Sequence, residues 1–230
     1  MRNERPIISF TFDDFPVSAL RVGGTILKSY GFTGTYYASL GLMGQMTPTG
    51  LIFSPEDLND LVTSGHELGC HTFAHCDSWE TSPGGFEQSV IENASALRRL
   101  QPGARLRTLS YPITCPRPQT KGRLARHFEC CRFGGQRFNL GSLDLNLVAA
   151  YFLEKDRGDE ELVTRMIQQT VRERVWLIIA THDVAEVHTR YGCTPSYFES
   201  VVRTAANSGA LVLPVAKALE RVRPGGNFFA

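Results

Sequence analysis

Two separated segments carry side chains that could share one metal ion. The first, Ser9-Phe10-Thr11-Phe12-Asp13-Asp14, is an apolar run that ends in adjacent carboxylates. The second, His71-Thr72-Phe73-Ala74-His75, sets two imidazoles four positions apart. One carboxylate and two histidines leave a coordination position open to water, which is the pattern of a catalytic metal centre and not of a closed structural one. The other carboxylate is a natural general base. Neighbouring side chains on a strand point to opposite faces, so Asp13 and Asp14 are expected to divide these roles. If residues 71–75 are helical, His71 and His75 share a face and both reach the ion. Each half also has an ordinary reading: Asp is common where a strand gives way to a helix N-cap, and two histidines can fall at this spacing by accident. No H-E-x-x-H glutamate is present, so a zincin protease is unsupported.

A third histidine, His182, follows the run Trp176-Leu177-Ile178-Ile179-Ala180-Thr181. A titratable group directly after a buried strand is costly to place without a purpose. Histidine titrates in the right range to protonate a leaving group near neutrality. Asp183, beside it, is placed to orient or charge it. His66, His127 and His188 have no evident partners and read as surface or helix-end residues.

These residues need a scaffold. Short apolar runs alternate with amphipathic stretches. Strands are expected at 7–12, 34–39, 67–70, 107–111, 129–133, 145–153, 175–180 and 210–215. Helices are expected at 18–30, 55–64, 86–100, 121–128, 159–173 and 195–208. Ser54-Pro55-Glu56-Asp57 supplies an N-cap, a proline at the first helical position and acids in the first turn. Gly134 to Ser142 is the most loop-like stretch. Alternating strands and helices imply parallel pairing and an α/β fold. Asp13-Asp14, His71, Tyr111-Pro112 and Thr181-His182 all follow strand ends. Catalytic groups gather at that end of a parallel barrel, whereas an open sheet concentrates them at one switch point. The expectation is a distorted or incomplete (β/α) barrel of about seven strands, one domain over residues 1–230 with its core at about 7–215.

Composition narrows the possibilities further. The chain has 230 residues, 42% hydrophobic and 20% charged, which supports a buried core and not disorder. A net charge of +1 argues against binding nucleic acid or anionic lipid by bulk charge. No apolar run reaches the roughly 20 residues that span a bilayer. The start, Met1-Arg2-Asn3-Glu4-Arg5-Pro6, lacks the pattern of a secretory signal. The expectations are no nucleic acid, no membrane and a cytoplasmic location, with the oligomeric state open. The six cysteines form no C-x-x-C pair and read as reduced, mostly buried thiols, with Cys70 and Cys76 flanking the histidines as spectators or soft ligands.

Several segments together resemble the polysaccharide deacetylase family (carbohydrate esterase family 4). Thr11-Phe12-Asp13-Asp14-Phe15-Pro16 resembles its T-F-D-D-G-P motif, and His71-Thr72-Phe73-Ala74-His75 its H-[ST]-x-x-H motif. Leu109-Ser110-Tyr111-Pro112-Ile113-Thr114 is similar to F-[AS]-Y-P-Y-G, and Ala180-Thr181-His182 to a strand ending L-x-H. The resemblance implies a divalent metal, usually zinc, on Asp14, His71 and His75. It implies Asp13 as general base, His182 as general acid, and the backbone N–H of Ile113 at the oxyanion. The glycine after the Asp pair is replaced by Phe15, which is expected at the substrate rim with Trp79 and Tyr111. The family's third-motif arginine, which orients the base, is missing here. Arg107, Arg117 and Arg137 are the candidates to replace it. The fourth motif has no clear counterpart, and Asp144 is its nearest candidate. The implied function is metal-dependent removal of an acetyl group from an N-acetylated sugar, such as a chitooligosaccharide. The alternatives are an amidase or imidase acting on a small non-sugar amide, and a non-catalytic glycan-binding protein on a retired enzyme fold.

Overall fold

Runs with no charged residue become strands buried on both sides. In the computed structural model, which describes residues 3–137, 139, 143–154 and 159–222, Ile7–Phe12 (β1) is such a strand, with all six residues buried. Thr35–Ala38 (β2), the hairpin Met46–Thr47 (β3) and Gly50–Leu51 (β4), Glu67–Cys70 (β5), Thr108–Ser110 (β6) and Cys130–Gly134 (β7) follow. Val148–Phe152 (β8), Trp176–Thr181 (β9) and Leu211–Val212 (β10) complete the series. The helices are Thr25–Ser29 (α1), Pro55–Thr63 (α2), Pro83–Leu100 (α3), Pro118–Leu124 (α4), Glu160–Glu173 (α5), Pro195–Asn207 (α6) and Val215–Val222 (α7).

Strands β1, β2, β5, β6, β7, β8 and β9 pair in that order, all parallel, and β9 returns to β1. The result is a closed barrel. Closure runs over six residue pairs, from Ile7↔Trp176 to Phe12↔Thr181. Because β9 takes one side of β1 along its whole length, β2 and β10 share the other. β2 pairs with Thr11 and Phe12, and β10 with Ile7 and Ile8. The ring is thus distorted where β10 wedges between β1 and β2 at the N-terminal end. No helix among the described residues is long and apolar enough to cross a membrane.

Alternation along the strands sorts side chains into two sets. Ile8, Phe10 and Phe12 face outward into a core shared with α1, α2, α5 and α6, where Phe10 meets Phe198 edge-on at 5.7 Å. Ile7, Cys130, Val148, Ala150, Trp176 and Ile178 form a second cluster with Val215, Ala218, Leu219 and Val222 of α7. Helix α7 therefore plugs the N-terminal end of the barrel. Glu67 fastens it: the Ala216 N–H donates to Oε2 at 2.7 Å, and Thr35 and Thr108 hydroxyls donate to the same carboxylate at 2.9 and 2.5 Å.

Three sequence expectations shift. The strand expected at 210–215 shortens to Leu211–Val212, because the chain turns at Pro214 into α7, which no sequence signal had marked. The helix expected at 18–30 begins as a π-helical turn, Ala19–Gly24. In the stretch 134–142, Gly134 closes β7 and Asn139 bridges to Trp176, while residues 138 and 140–142 lie outside the described residues.

His66 is not a surface residue. It is 9% exposed, lies edge-on to Tyr36 at 5.1 Å, and accepts the Gly34 N–H on Nδ1 at 3.0 Å. Burial, helped by the charge of Lys28, pushes its pKa down to about 4. The unfolded chain then takes up this proton near pH 6.5 and the folded chain does not. The contribution of His66 to stability is complete above that pH and lost as pH falls toward 4. At 1.36 kcal/mol per unit the loss is at most about 3 kcal/mol. Urea unfolding of wild type and His66→Gln at pH 7 and 4.5 is expected to show a smaller acid loss in the variant, by roughly 2 kcal/mol. Equal losses would count against this burial effect.

Candidate metal centre

The side chains of the site continue the barrel's inner set. Counting in twos from Ile7 along β1 leads to Asp13, from Glu67 along β5 to His71, and from Thr108 along β6 to Ser110. Asp14 cannot follow the same alternation. The strand has ended at Phe12, and Asp14 adopts φ +60°, which swings its carboxylate toward the same space. Residues 71–75 are not helical. They form a loop with left-handed Thr72 (φ +61°) and His75 (φ +51°). The Ser89 hydroxyl on α3 accepts the N–H groups of Phe73 and Ala74 at 3.0 and 3.2 Å, and Thr72 Oγ1 accepts that of Cys76 at 3.0 Å. Both imidazoles converge, but backbone strain and not helical periodicity brings them together.

Asp14 Oδ1 lies 3.3 Å from His71 Nε2 and 3.1 Å from His75 Nε2. The candidate ligand atoms of all three residues lie within 4.8 Å of one another. His71 Nδ1 is 2.8 Å from the Ser110 carbonyl oxygen, which only accepts, so Nδ1 carries the proton. In a neutral ring Nε2 then presents a lone pair to a carboxylate oxygen. That oxygen is itself buried and without a hydrogen-bond partner. Opposed lone pairs around a buried orphan atom fit a cation between them, and the donor set suits zinc or a similar divalent ion. The carbonyl that orients His71 is the outer-shell support such ligands usually have. Burial raises the Asp14 carboxyl, but His71 and His75 outweigh it and hold it well below the usual carboxylate range. Burial lowers His75, and its contact with Asp14 more than reverses this.

Asp13 is held apart from this cluster. Its Oδ1 receives Arg132 Nη2, and its Oδ2 receives the Ser110 hydroxyl at 3.2 Å. Arg132 is fully buried on the inner face of β7, its guanidinium 4.6 Å from the Tyr37 ring centre and 5.5 Å from that of Phe152. No motif marks Arg132 in the sequence. Its signal was a cation inside a strand, where burial demands a partner. Arg107 instead pairs with Glu129 and Glu220, Arg117 covers Trp79, and Arg137 lies against Phe133.

His182 follows β9 with its ring between Phe152 and Tyr191, at 5.6 and 5.5 Å. Its Nδ1 is 3.2 Å from the Tyr191 carbonyl oxygen, which leaves Nε2 for the cavity that His182 lines. Asp183 does not orient it. That carboxylate accepts the N–H and hydroxyl of Thr189, at 2.7 and 2.6 Å, and organises the loop instead.

A cavity of about 570 Å³ opens above these groups, and all seven barrel strands or the segments after them contribute to its wall. A groove of the same volume runs along the outside of α3, so size alone does not select the site. The gathering of Asp13, Asp14, His71, His75 and His182 in one cavity does. A family model described as polysaccharide deacetylase matches residues 1–127. The chain belongs to the polysaccharide deacetylase family. The match takes in the Asp pair and both motif histidines, while Arg132 and His182 lie beyond it.

Among family structures, chitin deacetylase from Colletotrichum lindemuthianum superposes with a TM-score of 0.70 at 17% identity, covering 97% of this chain and 92% of that one. Peptidoglycan deacetylase PdaC from Bacillus subtilis gives 0.63 at 16%, covering 95% and 92%. A CE4 family pseudoenzyme from Bacillus anthracis gives 0.66 at 9%, covering 94% and 66%. A protein named gellan lyase, from a Bacillus species, is 29% identical over 105 residues, which is 46% of this chain and 4% of that protein.

Within the family frame the remaining expected residues separate. Ile113 (φ +66°) and Tyr111 line the cavity, and the Tyr111 hydroxyl donates to the Asn146 carbonyl at 3.3 Å. Trp79 is 59% exposed but outside the cavity wall, donating through Nε1 to the Cys115 carbonyl at 2.8 Å. Asp144 pairs with Lys121, away from the cavity. Cys70 is buried, with the Asn93 amide donating to its sulfur at 3.3 Å. His127 pairs with Glu87 at 2.7 Å.

Phe15 corrects a specific expectation. It is fully buried, stacked on Phe53 at 4.6 Å and tilted against Tyr36 at 5.2 Å, and takes no part in the cavity wall. Its φ of +54° is a left-handed conformation that glycine adopts without cost. The left-handed backbone costs a residue with a side chain about 1–2 kcal/mol. Deleting a buried phenylalanine costs about 3–5 kcal/mol. Packing therefore outweighs strain, and Phe15→Gly is expected to lower the free energy of unfolding by roughly 2 kcal/mol in urea melts. A stabilised Phe15→Gly would reverse the ranking.

Proposed function

We propose that this protein hydrolyses the acetamido group of an N-acetylated sugar, with a divalent metal on Asp14, His71 and His75. The observation that carries the reading is the buried, unpartnered Asp14 Oδ1 facing two histidine nitrogens at the floor of a cavity. When bound, the metal would polarise the acyl oxygen and acidify a water. The protein's residues supply the rest. Asp13, fixed by Arg132 and Ser110, accepts a proton from the attacking water. His182, its Nδ1 proton held by the Tyr191 carbonyl, delivers a proton from Nε2 to the departing amine. The backbone N–H of Ile113 contributes to oxyanion stabilisation.

The cavity wall supports a neutral substrate. Its ionisable members among the described residues are Asp13, Asp14, Glu154 and three histidines, with no lysine or arginine. The aromatic wall of Tyr111, Phe152 and Tyr191 suits the apolar face of a pyranose ring. A second reading, hydrolysis of a small non-sugar amide, draws support from Met46, Thr47 and Pro48 of the hairpin, which wall one side of what would otherwise be a groove. Retention of Asp13, Asp14, His71, His75 and His182 weighs against a retired enzyme, although the family includes a pseudoenzyme.

Acetate release from chitooligosaccharides is expected with added zinc and is expected to stop on chelation. No release from any N-acetylated glycan by zinc-loaded protein would remove the sugar assignment. Asp13→Asn is expected to lose turnover by at least about 100-fold while still binding metal. Unchanged turnover would disqualify Asp13 as the base. Arg132→Met strands a buried carboxylate and is expected to cost about 3–5 kcal/mol of stability, measured by denaturant unfolding.

A further inference from the structure

The carboxylate of Asp14 has two oxygens, and they live in different surroundings. Oδ1 faces the two imidazoles. Oδ2 lies 2.9 Å from the hydroxyl of Thr49, a residue outside every motif described above and only 5% exposed. An ionised carboxylate only accepts, so Thr49 donates its single proton to Oδ2. The lone pairs of Thr49 Oγ1 are then left to accept, and Thr47 Oγ1 stands 2.9 Å away. The Thr47 hydroxyl also accepts the Thr49 N–H at 3.2 Å, and its one proton is shared between Thr49 Oγ1 and the Gly50 carbonyl, 3.1 Å away. The two threonines brace each other across the turn of the β3–β4 hairpin.

The hairpin is tied to the same loop that carries Asp14. Ile52 bridges to Pro16, and the Phe53 N–H donates to the Phe15 carbonyl at 3.2 Å. Cross-ties inside the segment run from Gly44 N–H to Phe53 O at 3.0 Å and from Ile52 N–H to Gln45 O at 2.9 Å. Asp14 is therefore gripped twice by one unit, through its neighbours' backbone and through its own side chain. A carboxylate's last torsion is soft and roughly two-fold, and the Thr49 hydrogen bond removes that freedom.

We propose that Thr49 is a positioning residue for Asp14. It holds Oδ2 back so that Oδ1 alone meets the metal, and it joins the metal site to the hairpin that walls the cavity. This inference rests on the reading of Asp14, His71 and His75 as a metal site.

The test is zinc affinity of the whole chain, measured by chelator competition after stripping. Wild type, Thr49→Val, Thr49→Ala and Thr49→Ser would be compared, with cobalt(II) absorption spectra and thermal unfolding of each apo-protein. Thr49→Val is nearly isosteric but has no hydroxyl, and is expected to bind zinc about 10–100-fold more weakly and to alter the cobalt spectrum. Thr49→Ser restores the donor and is expected to restore both readouts. Thr49→Ala serves as the second hydroxyl-free variant if valine disturbs the hairpin. Wild-type affinity and spectrum in both hydroxyl-free variants would overturn the positioning role. A wild-type protein that binds neither zinc nor cobalt would overturn the metal reading itself, and the role of Thr49 with it.

Discussion

Six consecutive pairs between β1 and β9 close the barrel, and closure decides which side chains can meet inside it. Strand alternation has a period of two, so a slip of one residue would exchange the inner and outer sets. In the register observed, the residues that continue the inner set past the strand ends include Asp13 and His71, while Ser110 and Arg132 lie on that face within β6 and β7. The buried Arg132–Asp13 pair exists because two strands on different sides of the ring both present their inner faces to one space. The outward set, Phe10 and Phe12 among it, packs against helices and holds the register in turn. Hydrophobic packing outside the barrel therefore positions the polar groups inside it.

Where the strands end, that regularity gives way to strain. Seven described residues other than glycine have positive φ, and five of them, Asp14, Phe15, Thr72, His75 and Ile113, lie in the loops around the cavity. Each left-handed residue costs of the order of 1–3 kcal/mol and persists only where its surroundings over-determine it. Those surroundings are identifiable. Phe15 is locked by its stack on Phe53, the 71–75 loop by the hydroxyls of Ser89 and Thr72, and Asp14 by Thr49. The distortion has a clear result: groups that regular geometry would spread over different faces are aimed at one point.

Sequence alone revealed much of this architecture, unevenly. The barrel strands were legible because β1 and β9 are β-rich runs without a charged residue, and α2 because Ser54 and Asp57 form a reciprocal capping box around Pro55. The convergence of Asp14, His71 and His75 was legible from residue type and spacing, but the helical argument for it was wrong, since no local pattern forecast left-handed Thr72 and His75. Arg132 was not legible, because its partner Asp13 lies 119 positions away along the chain and across the ring. Distance through a closed barrel has no counterpart along the chain. Phe15 was misplaced for a related reason: a bulky residue in a catalytic motif suggests a wall, but its backbone conformation turns the ring into the core. Helix α7 and the β3–β4 hairpin are short elements stabilised by what they touch, and propensity marks such elements poorly.

Helix α7 stoppers the N-terminal end of the barrel, so among the described residues the cavity is a well closed at that end. Traffic in such a vessel is ordered by depth. Whatever sits lowest, against Asp14 and the two histidines, arrived first through the mouth and must wait for anything above it to leave. The two products of the hydrolysis proposed above would leave in that order, the one nearer the rim ahead of the other. Met46 and Pro48 of the hairpin form part of that wall, so a segment that carries none of the proposed catalytic groups borders the passage.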